Sequence, residues 1–203
     1  MKKLLALVFL LILSCDAIAH AVFNFNGANS KLNAANNPMI ILPGDSNYAR
    51  IPTSFLIPGY QVVNWGENAL NSRNLTTGLM SVIWTKVPAV CVPMIGTNDA
   101  YGYGHLPEIQ PDYSKLNIGA MIYILKGRCG RVILLSPLPT RDRVNVTPWV
   151  NASQAAAADM NVQFVMLTEA MFPPSSFADD VHLNAAGYAT LQQAIIDAIN
   201  TPV

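Results

Sequence analysis

The chain has little charge of either sign. Charged residues make up 12% of its 203 residues, acidic and basic side chains are equal in number, and the formal net charge is +0. A protein that binds a nucleic-acid backbone needs clustered Lys and Arg, and the basic residues here are scattered along the chain. The composition therefore predicts no nucleic-acid partner and favours a neutral ligand, such as an ester or a sugar, over a polyanion.

Histidine and cysteine are also scarce, with three of each. They form no Cys/His cluster with the spacing of metal ligands, so we expect no metal cofactor. The positions of Cys91 and Cys129 allow a disulfide in an oxidising compartment but do not by themselves show one. Because Cys91 lies within an apolar, strand-like run, a buried free thiol is the expectation there.

Long apolar runs are missing except near the start of the chain. Two lysines precede the apolar run from Leu4 to Leu13, and about ten apolar residues are too few to span a bilayer. Residues 1–19 are therefore predicted to be a signal peptide that directs export to the periplasm or the extracellular space. Cleavage after Ala19 would leave His20 first; alternatively, the segment ending at Cys15 resembles a lipobox, which predicts a lipid anchor on Cys15 and a membrane-anchored lipoprotein.

After an Asn-rich lead-in at 20–38, expected to cover an edge of the sheet, residues 39–203 form one predicted domain. Its apolar runs alternate with helix-compatible stretches, a pattern typical of a parallel sheet covered on both faces. We predict a three-layer α/β/α sandwich with five parallel strands. The predicted strands are 39–42, 60–64, 89–95, 131–135 and 163–167, and the predicted helices are 70–86, 113–125, 151–160 and one that starts after Asn184.

Polar residues follow the carboxyl ends of these strands, where open parallel sheets bind their ligands. A serine hydroxyl attacks an ester only if a base removes its proton, and a histidine held by a carboxylate is such a base. Ser46 is the predicted nucleophile, His182 its base, and Asp179, three residues earlier, the acid that orients the ring. The backbone N–H of Gly66 and the side-chain amide of Asn98 are predicted to stabilise the oxyanion.

Taken together, these motifs resemble the SGNH hydrolase superfamily of GDSL-like lipases and esterases, over about residues 39–199. The resemblance implies a flavodoxin-like order of the strands. It also implies that the Ser46 backbone N–H belongs to the oxyanion hole and that no cofactor is needed. The chain departs from the family at Ala69, where many relatives carry a second glycine. The matching motifs are Gly44-Asp45-Ser46, Gly66, Gly96-Thr97-Asn98-Asp99, Asp179-x-x-His182 and Val181-His182-Leu183-Asn184-x-x-Gly187-Tyr188.

Some neighbouring residues allow two interpretations. Asp180 is an alternative to Asp179 as the orienting acid, and Asp45 is expected to have a structural role. The aromatic residues near the site either form a wall that faces a sugar or an acyl chain or pack in the core. These aromatic residues are Trp65, Tyr101 and Tyr103. His105 is expected to lie in a surface loop.

The predicted function is hydrolysis of a carboxylic ester through an acyl-enzyme. A carbohydrate O-acetylesterase or another small-acyl esterase fits the motifs and the predicted export. A lysophospholipase or thioesterase is the alternative within the same class, and an apolar acyl channel would favour it. A non-catalytic binding module on the same fold is the alternative from another class, but it would be expected to lack at least one of the catalytic residues.

Overall fold

Five parallel strands form one sheet in the computed structural model, which describes residues 37–82, 84, 86–102, 108–142 and 144–202. The strand order is β2-β1-β3-β4-β5, so the predicted five-stranded parallel sheet with helices is confirmed. The strands are β1 (Met39–Gly44), β2 (Gln61–Gly66), β3 (Val90–Cys91), β4 (Arg131–Leu135) and β5 (Gln163–Val165). The predicted signal peptide, most of the lead-in, Tyr103 and His105 lie outside the described residues.

Helices cover the sheet on both faces. They are α1 (Ser46–Ala49), α2 (Ser72–Ser81), α3 (Thr97–Tyr101), α4 (Pro111–Lys126), α5 (Thr147–Asp159) and α6 (Ala185–Asn200), with a short 3₁₀ turn at Pro174–Ser176. Residues at the helix ends explain the boundaries of the longer helices. Pro111 opens α4 and Gly127 ends it, while the Asn184 side chain caps α6 by accepting from the N–H groups of Ala186 and Gly187. Within the described residues, no helix is long and apolar enough to cross a membrane.

Two separate apolar cores follow from the alternation of side chains along the strands. Ile40 and Leu42 of β1 point to one core, which α6 covers with Leu191 and Ile195. Ile41 points to the other core, which lies beneath α2, α4 and α5. Adjacent strand residues face opposite sides of a sheet, so continuously apolar strands need cover on both faces.

The third strand is shorter than predicted. The sequence predicted a strand over 89–95, but the regular ladder of β3 contains only Val90 and Cys91. Pro93 has no N–H to donate, and a proline inside a central strand removes a ladder hydrogen bond. Pairing resumes at Met94, which forms bridges to Gly44 and Leu135. The chain therefore still reaches the carboxyl edge of the sheet next to β1.

The expectation of a free thiol at Cys91 is wrong, because Cys91 and Cys129 form a disulfide across 38 positions of sequence. Strand β3 pairs with β4 in a register that places Val90 opposite Arg131, and Cys129 comes just before β4. Both cysteines belong to the same apolar core, with their Cα atoms 6.0 Å apart. The apolar run around Cys91 correctly indicates burial, but burial does not decide between a thiol and a disulfide.

Removing this disulfide should lower the free energy of unfolding by about 2–4 kcal/mol, because the crosslink restricts the unfolded chain. The measurement is urea unfolding of the wild type with and without dithiothreitol, beside the Cys91→Ala/Cys129→Ala variant. The double variant should start less stable and should not respond to the reductant. A double variant as stable as the oxidised wild type would contradict the prediction.

Candidate active site

Ser46 lies directly after β1, at the first residue of the short helix α1. Asp45 caps this helix, and its carboxylate accepts a hydrogen bond from the Asn47 N–H at 2.9 Å. Gly44 permits the sharp turn from strand to helix: a Cβ there would lie 2.5 Å from the Met94 carbonyl oxygen and 2.5 Å from the Tyr48 ring. The Ser46 hydroxyl is thereby held at the carboxyl edge of the sheet.

His182 lies in the loop before α6, and this loop is closed by its own hydrogen bonds. Phe177 and Leu183 form an antiparallel bridge, and the Ala178 N–H donates to the His182 carbonyl at 2.8 Å. Asp179 Oδ1 accepts from the backbone N–H groups of Val181 at 3.0 Å and His182 at 2.8 Å. The loop, residues 177–183, therefore fixes its aspartate and its histidine relative to each other.

The structure brings Ser46, His182 and Asp179 into one hydrogen-bonded chain. Asp179 Oδ2 lies 2.7 Å from His182 Nδ1, and His182 Nε2 lies 2.9 Å from Ser46 Oγ. Ser46 is 8% exposed and His182 is 7% exposed, so the hydrogen bond between them is largely shielded from water. This arrangement can transfer the serine proton to the ring while the carboxylate stabilises the resulting imidazolium.

Asp179 is ionised across the neutral pH range. Its partial burial by itself would raise the pKa, but hydrogen bonds from the Val181 and His182 N–H groups and from the His182 ring lower the pKa to about 2. The alternative acid, Asp180, faces elsewhere: its carboxylate lies 3.8 Å from Arg141 Nε, and its backbone carbonyl accepts from the Arg141 N–H at 2.7 Å. The geometry therefore favours Asp179 as the partner of His182.

Gly66 does not offer the free N–H that the sequence predicted. Its amide donates to Asn64 Oδ1 at 2.8 Å, while Asn64 Nδ2 donates to the Tyr48 carbonyl at 2.6 Å. A Cβ on Gly66 would lie 2.2 Å from the Ala49 nitrogen. The glycine is needed because α1 packs directly on the end of β2, and Asn64 has already taken the N–H that was expected to face an oxyanion.

Asn98 lies on α3, at the carboxyl end of the third strand, and is 8% exposed. One of its two side-chain N–H groups donates to the Leu70 carbonyl at 2.7 Å, which leaves the second for another acceptor. The next residue, Asp99, anchors α3 by accepting from the Ser72 N–H at 2.7 Å and from the Ser114 hydroxyl. The Asn98 amide is thus held by the Leu70 carbonyl, and the helix that carries it is held through Asp99.

Ala69 has a φ of 61°, in the left-handed region that favours glycine. It lies in the exposed loop between β2 and α2, at the position where the family resemblance predicts glycine. Ala69 therefore adopts a backbone conformation that is common for glycine and rare for alanine. The neighbouring Asn71 caps α2 by accepting from the Asn74 N–H at 2.9 Å and stabilises the end of this loop.

The two interpretations of the aromatic residues can be compared for Trp65 and Tyr101, the two that lie in the described part of the chain. Trp65 packs edge-to-face against Trp84, with ring centroids 4.8 Å apart, and contributes to the core on the far face of the sheet. Tyr101 donates its hydroxyl hydrogen bond to Asp142, in the loop after β4. For Trp65 the structure favours the core-packing interpretation, whereas Tyr101 lies in the same part of the site as the Arg141–Asp180 pair.

Two residues beside the site were missed by sequence reasoning. Asn47 is 1% exposed and contacts the backbone on both sides of His182, and Arg50 Nη1 lies 3.9 Å from Asp179 Oδ2. Their partners are more than a hundred positions away along the chain, so no local motif marks them. Among the described residues, no group of three or more His, Cys, Asp or Glu side chains could hold a metal ion.

Comparisons with known proteins agree on the family and the fold. A family model described as GDSL-like lipase/acylhydrolase matches residues 40–195. A lipase/acylhydrolase from Enterococcus faecalis is 22% identical, with a TM-score of 0.68 over 80% of this chain and 95% of the other. An acetylxylan esterase from Geobacillus stearothermophilus is 20% identical, with a TM-score of 0.66 over 81% of this chain and 95% of the other. Comparison with curated proteins finds no match.

At these identities the solved structures show the fold alone, and they confirm the expected α/β architecture. The resemblance to GDSL-like hydrolases is likewise confirmed by the extent of the family match. The Geobacillus enzyme has also been solved as catalytic mutants in which a serine, an aspartate or a histidine is replaced by alanine. In that enzyme, the replaced aspartate and histidine are three residues apart.

Asp179→Asn should lower kcat by about 10⁴-fold, because an amide cannot hold the His182 ring in the tautomer that accepts the serine proton. Asp180→Asn removes only a partly exposed ion pair with Arg141 and should change kcat by no more than a few-fold. The measurement is steady-state hydrolysis of a nitrophenyl ester by both variants. A larger loss at Asp180 would reverse the assignment of the acid.

Asp45→Asn should flatten the dependence of stability on pH between about pH 4 and pH 7. Burial, together with the nearby charge of Asp99, raises the pKa of Asp45 to about 7, although the hydrogen bond from the Asn47 N–H lowers it. Since the folded-state pKa lies above the unfolded value, the stability that the protonated carboxyl confers at low pH is lost as pH rises towards about 7. Asparagine keeps the capping acceptor and cannot ionise.

The variant should therefore be more stable than the wild type above about pH 7 and similar to it below about pH 4. Urea unfolding across this range measures the difference. Asp112→Asn is the control for the removal of a carboxylate in general, because Asp112 is exposed and lies in the first turn of α4. Parallel pH curves for the wild type and Asp45→Asn would show that Asp45 is not the group responsible.

Proposed function

Because this chain belongs to the family of GDSL-like lipases and acylhydrolases, we propose that it hydrolyses a carboxylic ester through an acyl-enzyme formed on Ser46. The observation that carries the proposal is the chain of hydrogen bonds from Asp179 through His182 to Ser46. Its order of groups, carboxylate, imidazole and hydroxyl, is the one that activates a serine for acyl transfer. The catalytic mutants of the Geobacillus esterase concern the same three residue types.

The reaction proceeds in two halves. His182 Nε2 accepts the Ser46 proton as Oγ attacks the ester carbon, and the protonated ring then gives that proton to the departing alcohol. A water molecule attacks the resulting acyl-serine with His182 again as base, which releases the carboxylic acid and restores the hydroxyl. Asp179 stays ionised throughout and holds Nδ1–H, which fits its lowered pKa.

The oxyanion that forms at each step requires donors. The backbone N–H of Ser46 and the second side-chain N–H of Asn98 are the donors that we propose. Gly66 is not among them, since its N–H donates to Asn64. Loss of one such donor typically lowers kcat by about 100–1000-fold.

The substrate that we propose is a carbohydrate O-acetyl ester or another ester with a small acyl group. The similarity to an acetylxylan esterase supports it, as does a chain with 12% charged residues and no net charge. The similarity to a lipase/acylhydrolase keeps an ester of a longer acyl chain as the second candidate. The proposal includes export, and the Cys91–Cys129 disulfide supports it because such bonds persist mainly in oxidising compartments.

Ser46→Ala should lower ester hydrolysis by about 10⁴-fold or more while the protein stays folded. A fluorophosphonate should label the wild type at Ser46 and should not label this variant. Ser175→Ala is the control, because Ser175 is an exposed serine in the 3₁₀ turn and its loss should change neither activity nor labelling. Labelling at another residue, or full activity of Ser46→Ala, would contradict the proposed mechanism.

A series of nitrophenyl esters, run beside acetylated xylan and peptidoglycan, tests the substrate class. The small-acyl proposal predicts that kcat/KM is highest for the acetyl ester and falls as the acyl chain lengthens. A maximum at a long acyl chain would favour the lipid-esterase alternative. Absence of Ser46-dependent turnover on every ester would favour a binding module.

A further inference from the structure

We propose that Asn47 is a positioning residue, which sets the distance between the nucleophile and its base by binding the backbone on both sides of His182. The inference rests on the proposed function. Asn47 Nδ2 donates to the Val181 carbonyl at 3.1 Å, and Asn47 Oδ1 accepts from the Leu183 N–H at 3.1 Å. Val181 and Leu183 are the chain neighbours of His182, so one side chain contacts both ends of the peptide that carries the base.

The contact requires a carboxamide. One end of the Asn47 side chain faces a carbonyl oxygen and the other faces an N–H, so the side chain must donate and accept at once. A leucine of similar size can do neither, and a serine is too short to reach both backbone groups. Because Asn47 is 1% exposed, its carboxamide is largely shielded from water. Each of its two hydrogen bonds therefore contributes to holding the loop in one place.

Position 47 is the residue next to the nucleophile, which makes its contacts a direct link between the two reacting groups. The hydrogen bonds within residues 177–183 fix Asp179 relative to His182, but they do not fix His182 relative to Ser46. A second polar contact between the two segments is the Arg50–Asp179 pair, at 3.9 Å and with both side chains about half exposed. An exposed pair of this kind restrains little.

The backbone of Asn47 is itself anchored from another element. The Tyr188 hydroxyl, on α6, donates to the Asn47 carbonyl at 2.9 Å. Because its own backbone is held in this way, the Asn47 side chain can hold residues 177–183 in a defined position relative to α1. Since a displacement of about 1 Å between reacting groups can cost about 100-fold in rate, loss of this link should appear in turnover.

The test is Asn47→Leu, with hydrolysis of a nitrophenyl ester as the readout. We expect kcat to fall by about 10–100-fold, with KM within about two-fold of the wild type, because the link affects proton transfer and not substrate binding. The rate of fluorophosphonate labelling at Ser46 should fall in parallel. The second variant is Asn47→Ser, in which water has room to replace the carboxamide. Its kcat should fall in the same way but by a smaller factor, and it serves as the test if Asn47→Leu does not fold.

Two comparisons separate positioning from a general loss of stability. Thr76→Val removes a buried hydroxyl that contacts the Ser72 and Asn117 carbonyls on α2 and α4, so it should lower the melting temperature without lowering kcat. When His182→Ala is already present, adding Asn47→Leu should lower kcat by less than about two-fold, because a residue that acts through His182 has nothing left to position.

The proposal would be overturned if the kcat of both Asn47 variants lay within about two-fold of the kcat of Thr76→Val. It would also be overturned if Asn47→Leu lowered kcat as much in the His182→Ala background as it does in the wild type. These failures leave Ser46-dependent hydrolysis by the wild type intact. If the wild type shows no Ser46-dependent hydrolysis or labelling, the proposed function fails, and the role of Asn47 fails with it. The two failures are therefore distinguishable in the same set of measurements.

Discussion

The hydrogen bond between Ser46 Oγ and His182 Nε2 joins residues 136 positions apart, and the architecture of the domain serves to bring them together. Ser46 follows β1, an interior strand of the sheet, whereas His182 precedes the last helix, α6. The two meet because α1 and α6 lie over the same face of the sheet, where Tyr48 and Tyr188 belong to one apolar core with Leu191 and Ile195. Packing on that face therefore decides whether the Ser46 hydroxyl and the His182 ring are within hydrogen-bonding distance of each other.

Two aspartates near this contact have been given opposite acid–base properties by their surroundings. Asp45 is 2% exposed and its pKa is raised to about 7, while Asp179 is half exposed and its pKa is lowered to about 2. For Asp45, the capping hydrogen bond offsets only part of the effect of burial on the pKa. The carboxylate of Asp179 instead accepts from two backbone N–H groups and a histidine ring. Only the second is suited to stabilise an imidazolium at neutral pH.

How much of this could be predicted from sequence depends on the range of the interaction. The parallel sheet and the grouping of Ser46, Asp179 and His182 follow from apolar periodicity and from polar residues after strand ends. Gly66 was predicted as an oxyanion donor, whereas in the structure its N–H donates to Asn64 and α1 packs against it; both contacts arise only in three dimensions. The Cys91–Cys129 pairing and the contacts of Asn47 depend on strand register and loop docking, which spacing along the chain does not encode.

The same dependence on distant contacts explains how a helix as short as α1 can be held rigidly. Four residues are too few for a helix to be stable by itself, and Pro52 follows soon after α1 ends. The position of α1 is set instead by three other parts of the chain. Asn64 of β2 donates to the Tyr48 carbonyl, and Tyr188 of α6 donates to the Asn47 carbonyl. Residues 177–183 bind the Asn47 carboxamide. Two asparagine side chains thus provide part of the rigidity that a longer helix would obtain from its own backbone. A substitution at either one should therefore disturb the geometry of Ser46 without removing any reacting group.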